Sequence, residues 1–172
     1  MFAGALIGMS ALLPQSAFAE DSAPAAQPLA QLAQLAVKKG YKNIGLGEVC
    51  DRLHVGAACK AYQLSAAVDA NESQKFGLTA GWLTSLNVLP ERSGTADIVI
   101  TAHDDHIGYA YLIGADDNLR AVAIGMSGSA DGKNWHWKPG AITGELAEKF
   151  ALEKTYWLAQ AKDIQNLPDR KD

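Results

Sequence analysis

Residues 101–108, TAHDDHIG, hold the residue types that metal binding and proton transfer use: His103 and His106 bracket Asp104 and Asp105. Imidazole nitrogens and carboxylates are ordinary zinc ligands. The runs ADIVI upstream and IGYAYLIG downstream read as two strands. A turn centred on Asp104-Asp105 sets Ile100 opposite Tyr109, Ile98 opposite Tyr111, Ala102 opposite Ile107 and His103 opposite His106. Such cross-strand partners hold their Cβ atoms about 5 Å apart, within reach of one ion.

Three considerations favour a solvated turn over a site. Two-residue hairpin turns need positive φ at both central positions, which Asp-Asp only tolerates; the alternative is a four-residue loop that splays the imidazoles. A catalytic zinc takes three rigidly held protein ligands with a supporting shell, whereas a hairpin tip is wet and mobile. His54 and His136 stand apart, and no H-E-x-x-H spacing occurs. His103 and His106 stay metal candidates only. No catalytic residue, metal or cofactor is expected.

The remaining motifs fall short of their chemistry. GMSGS, residues 125–129, puts Ser127 in a near nucleophile elbow, but Ser129 stands where glycine is required and no helix follows. GADDN, residues 114–118, lacks calcium-loop spacing and the distal Glu. GLGEVC lacks the third glycine of a phosphate loop, and Asn71 in NES is an acceptor only in a eukaryotic secretory pathway. Cys50 and Cys59 are the only cysteines and are not spaced C-x-x-C. A pair in an exported chain predicts a structural disulfide.

The aromatic residues offer a different chemistry. Tyr62, Phe76 and Trp82 alternate on one face, as do Tyr109 and Tyr111, and Trp135 and Trp137 flank His136. They either fill the core beneath Phe150 and Trp157, or line a cavity or partner-binding patch. Trp82, Tyr109, Tyr111, Trp135 and Trp137 are the candidate contacts.

The elements that must position them read in order along the chain. PLAQLAQLAVKKG predicts a helix from Pro28, with Leu29, Leu32, Leu35 and Ala36 in one stripe and Lys38-Lys39-Gly40 as its stop. GLGEVCDRL is either a second short helix or an irregular segment clamped by the disulfide. The period then becomes two: YQLSAAVD, a turn at NESQK, and FGLTAGWL form a predicted hairpin, followed by the loop NVLPERSGT. ADIVITAH and HIGYAYLIG make a second hairpin, LRAVAIGM a further strand and NWHWK a last short one. Residues 143–164 read as one long helix with Thr143 as N-cap and Leu146, Phe150, Trp157, Ala161 and Ile164 along a stripe.

This order predicts an α+β fold: one or two N-terminal helices, an antiparallel meander of about six strands, and a long C-terminal helix packed on one sheet face. It resembles the order in helix-grip ligand carriers and in small exported inhibitor and immunity folds. Residues 28–69 are similar to exported proteins with a type III secretion chaperone-like fold. No specific motif carries any of these resemblances, and no family is assigned.

Residues 1–19 read as a secretory signal peptide: an apolar stretch too short to span a bilayer, then Ala17-Phe18-Ala19 before Glu20-Asp21, without a basic residue ahead of it. Residues 20–27 read as a flexible linker, 28–167 as one domain and 168–172 as a polar tail. The net charge of −4 argues against nucleic acid and anionic membranes as partners. No transmembrane anchor is expected in the mature chain. The reading is an exported, non-catalytic binding module acting on another envelope protein, periplasmic if the source is Gram-negative and secreted otherwise. The alternative is a carrier of a small apolar ligand between sheet and C-terminal helix, and a metal-dependent enzyme comes third.

Overall fold

A computed structural model describes residues 28–43, 46–55, 60–89, 97–114, 116–128 and 134–170. The expected signal peptide, linker and residue Cys59 lie outside them. The elements are α1 (Pro28–Lys39), β1 (Lys42–Asn43), α2 (Glu48–Arg52), β2 (Ala61–Ala67), α3 (Ala70–Phe76), β3 (Leu83–Val88), β4 (Ile98–His103), β5 (Ile107–Ile113), β6 (Leu119–Ser127), β7 (Trp135–Gly140), α4 (Gly144–Ala159) and α5 (Ala161–Gln165). The strands form one sheet in the order β1 to β7, every neighbouring pair antiparallel. It is the expected α+β meander, with the long helix on one face.

Alternation along the strands divides the sheet into two faces. The inner face presents Leu64, Leu86, Val88, Ile98, Ile100, Tyr111, Ile113 and Val122. Against it pack Leu29, Leu32, Ala33 and Ala36 of α1, Leu146, Phe150, Tyr156 and Trp157 of α4, and Ile164 of α5. Each large side chain buried there contributes roughly 1.5–3 kcal/mol. The Asp117 carboxylate accepts from the Leu29 backbone N–H at 3.2 Å, so the β5–β6 loop caps the start of α1. Among the described residues, the outer face is covered only at one end, where Val49, Cys50 and Leu53 of α2 meet Ala61, Val99, Ala110, Leu112 and Ala123. Cys50 is wholly buried in that cluster and is not a free thiol.

One expected strand is in the wrong place. Residues 76–83 were to be the second strand after a turn at 71–75, but residues 70–76 form α3 and the strand runs over 83–88. The cause is a capping box: Asp69 Oδ1 accepts from the Glu72 N–H at 2.8 Å, and Glu72 Oε2 accepts from the Asp69 N–H at 3.1 Å. Gly77 at φ 71° ends the helix in the left-handed region. The loop expected from Asn87 therefore begins later: Asn87 and Val88 are strand, and the Leu89 N–H still donates to Asp97 at 2.8 Å. The predicted final helix is also divided, with Gln160 closing α4 before α5 starts. Beyond α5, the Arg170 N–H donates to Lys39 and Tyr41 Oη donates to Pro168, so the first residues of the polar tail run along the end of α1.

Candidate functional site

The turn between β4 and β5 covers residues 104–106 and is closed by the Asp104 N–H, which donates to the Ile107 carbonyl at 3.0 Å. It is therefore centred on Asp105-His106, one residue beyond the expected Asp104-Asp105. His103 stands opposite Gly108, Ala102 opposite Tyr109, Ile100 opposite Tyr111 and Ile98 opposite Ile113. This register is two residues away from the tight-turn expectation, so His103 and His106 are not cross-strand partners. A slip of two keeps every side chain on its own face, which preserves the predicted alternation. Asp104 builds the loop: Oδ1 accepts from the N–H groups of Ile107 at 2.8 Å and His106 at 2.7 Å. Those bonds hold its carboxyl below the usual aspartate range. His106 is exposed, while His103 is half-buried with its ring edge towards Trp135, centroids 5.2 Å apart.

The other motif residues also have local roles. Asp116 accepts from the backbone and side chain of Asn118 and shapes the β5–β6 loop, in which Asp117 sits at φ 62°. Ser127 ends β6 opposite Trp135, and its N–H donates to His106.

The five candidate aromatics divide between the two faces. Trp135 and Trp137 lie on the outer face, stacked with centroids 5.7 Å apart and planes at 27°. Trp137 stands opposite Gly125, Gly125 opposite Gly108, Gly108 opposite His103, and His103 opposite Leu83, which gives one row across five strands. A Cβ at Gly125 would lie 2.8 Å from the Trp137 ring, and one at Gly108 would lie 3.1 Å from Trp137 and 3.3 Å from Trp135. The glycines thus clear the floor on which the indoles rest, and the rings supply the packing that glycine lacks. Leu83, at the other end of the row, is 49% exposed. Beside this row run polar pairs: Ser65 Oγ lies 2.9 Å from Ser85 Oγ, and Gln63 donates to Asn87 at 2.8 Å, which donates to Thr101 at 3.2 Å.

The adjoining sheet edge is closed to an added strand. Pro139 of β7 has no N–H, and the Trp137 backbone N–H is bonded to the Glu48 carboxylate. Arg52 binds the same carboxylate at 2.8 Å and, with that N–H, holds it below the usual glutamate range. The missing N–H and the bonded one both disfavour strand addition along this part of β7 and leave side chains on the face as the means of recognition.

Trp82, Tyr109 and Tyr111 line the inner face, where Trp82 stacks on Tyr109 at 5.9 Å and Tyr109 on Tyr111 at 6.2 Å. With Gly77, Leu78, Thr79, Lys149, Leu152 and Glu153 they enclose a small cleft, with about 80 Å³ open to water-sized molecules. Glu153 on α4 is only 5% exposed. Thr84 Oγ1 donates to it at 2.9 Å and itself accepts from Trp157 Nε1 at 3.0 Å. Burial pushes the Glu153 carboxyl up to about 7, against the opposing pull of the Thr84 bond, and burial also pushes the Tyr111 hydroxyl up. The Trp82 Nε1–H is buried without a hydrogen-bond partner among the described residues.

Sequence reasoning missed Glu153, although a signal existed. It falls three residues after Phe150 and four before Trp157, inside the apolar stripe of α4. Leu83 and the two glycines carried no such signal, because their importance depends on which strands lie side by side. The fold and these two aromatic sites define a small α+β chain with one helix-covered and one partly open sheet face. It matches no protein-family model, no curated protein and no solved structure.

Proposed function

We propose that the protein is an exported, non-catalytic binding module that engages another envelope protein through the open half of its outer sheet face. The carrying observation is the row Leu83–His103–Gly108–Gly125–Trp137, with the Trp135–Trp137 stack resting on its glycines at one end and a half-exposed leucine at the other. Tryptophan is among the residues that most often dominate interface energy, and a rigid stacked pair loses little conformational freedom on binding. The polar Ser65, Ser85 and Thr101 alongside supply the rim that such an apolar centre needs. Between the sheet and α4 the free volume is about 80 Å³, well below a whole-ligand pocket of roughly 300 Å³ or more, which favours this reading over a carrier at that place. The larger hollow, about 330 Å³, lies away from the sheet, between α1 and the α4–α5 corner.

Export and the disulfide belong to the same proposal. The residue pattern at 1–19 supports export, and the buried Cys50 supports a bridge to Cys59. Protein isolated from its exported compartment then yields no alkylated cysteine after denaturation without reductant. Modification of both thiols contradicts the bridge.

The binding reading is tested with Leu83→Glu, which alters an exposed side chain, beside Trp135→Ala. Both variants, once shown to fold, lose the biological effect, while Ser127→Ala and His136→Ala retain it. Full activity of Leu83→Glu and Trp135→Ala, with loss in either polar variant, points to chemistry instead.

A further inference from the structure

We propose that the inner cleft binds a small alkylammonium group with an oxygen beside it, the end of a 2-amino alcohol, with Glu153 accepting from the ammonium and the Trp82 indole N–H donating to the oxygen. This site is separate from the outer face and does not depend on the binding-module reading.

Three observations carry it. The first is a buried carboxylate without a cation. Glu153 has a hydrogen bond from Thr84, but no lysine or arginine pairs with it among the described residues. A buried carboxylate is costly unless it takes up a proton, as Glu153 does below about pH 7, or a cation compensates it, and such groups concentrate where ligands bind. The second is the buried Nε1–H of Trp82, a residue that lines the same cleft, which has no hydrogen-bond partner among the described residues. The two side chains together ask for one donor-rich cationic group and one acceptor, which an amine next to a hydroxyl provides.

The third observation is that an ammonium already sits on this wall. Lys149 Nζ lies 5.5 Å from the centre of the Tyr109 ring, in cation–π geometry, and Lys149 lines the cleft. The aromatic ladder Trp82–Tyr109–Tyr111 therefore offers a negative ring face at the entrance and the Glu153 carboxylate deeper in. The ligand's ammonium displaces that of Lys149, whose flexible stem lets it swing to solvent. The small volume restricts the site to a few heavy atoms and so selects an end group, with the rest of the ligand outside.

The full chain is titrated with ethanolamine, ethylamine and ethylene glycol while the tryptophan indole N–H resonances are followed by NMR. Ethanolamine shifts the Trp82 resonance saturably in the millimolar range expected for so small a ligand, about 4 heavy atoms. Ethylamine binds several-fold more weakly and ethylene glycol does not bind. Glu153→Gln weakens ethanolamine by at least about tenfold, as loss of a charge-assisted bond requires. Lys149→Met, at a half-exposed side chain on the rim of the cleft, keeps the spectrum of the fold and tightens ethanolamine by removing its competitor. Absence of a saturable Trp82 shift in both wild type and Lys149→Met overturns the proposal. So does equal binding of ethylene glycol, of ethylamine, or of ethanolamine to Glu153→Gln.

Discussion

Gly125 on β6 and Trp137 on β7 face each other across the ladder, and the indole occupies the space where a side chain at Gly125 would stand. Three ring atoms lie within 2.8–2.9 Å of that Cβ position. Gly125→Ala must therefore lift Trp137 from the sheet, or strain β6, and costs about 1–3 kcal/mol as overpacking does. In a Trp137→Ala background the same change costs little, because the obstruction is gone. Urea unfolding of the four proteins in that cycle measures the coupling. Additive effects contradict the contact.

The β4–β5 loop depends on Asp104 and not on its histidines. Asp104→Ala removes two backbone caps and costs about 1 kcal/mol, the ordinary value of such bonds. His106→Ala changes stability by less than about 0.5 kcal/mol, as exposed substitutions do. Thermal unfolding of both variants checks the order, and a reversed order rejects the account of this loop.

Glu153 makes stability fall as pH rises. Its carboxyl sits at about 7 in the folded chain against an ordinary value of 4.5, so the folded state holds the proton more tightly. The favourable contribution is complete below about pH 4.5, is lost between there and about pH 7, and changes no further above that. The size of the loss is about 3 kcal/mol, an order-of-magnitude figure from 1.36 kcal/mol per unit. Glu153→Gln, a neutral mimic of the protonated acid, flattens this limb and is more stable than wild type at pH 8. Chemical denaturation across pH 4–8 gives the answer, and parallel pH curves for the two proteins contradict it.

Much of the fold was legible because amphipathic period is a local property. The stripe Leu29, Leu32, Ala36 announced α1, and the alternation in residues 98–113 announced two strands and their buried sides. The strand misplaced at 76–83 shows the limit of that signal. Phe76, Leu78, Ala80 and Trp82 alternate, yet the capping box from Asp69 to Glu72 commits the chain to a helix first. That D-x-x-E signal was present in the sequence and outweighs the alternation.

The sites were legible only in part. Composition singled out five aromatic residues but grouped them together, whereas strand parity and pairing place Trp135 and Trp137 on the face opposite Tyr109 and Tyr111. The glycine floor depends on pairing between β5, β6 and β7, which local spacing does not encode. Glu153 was hidden by its type: a glutamate on a helix is normally solvated, and only its place in the stripe marked it as buried.

Site-specific photo-cross-linking in envelope extract tests the binding face most directly. A photoreactive side chain at Leu83 sits at the exposed end of the tryptophan row, and one at Val37 sits on α1, away from that row, and is exposed as well. The account predicts a discrete protein adduct from position 83 that disappears with Trp135→Ala, and none from position 37. An adduct from 37 alone, or one from 83 that persists undiminished in a folded Trp135→Ala protein, contradicts it.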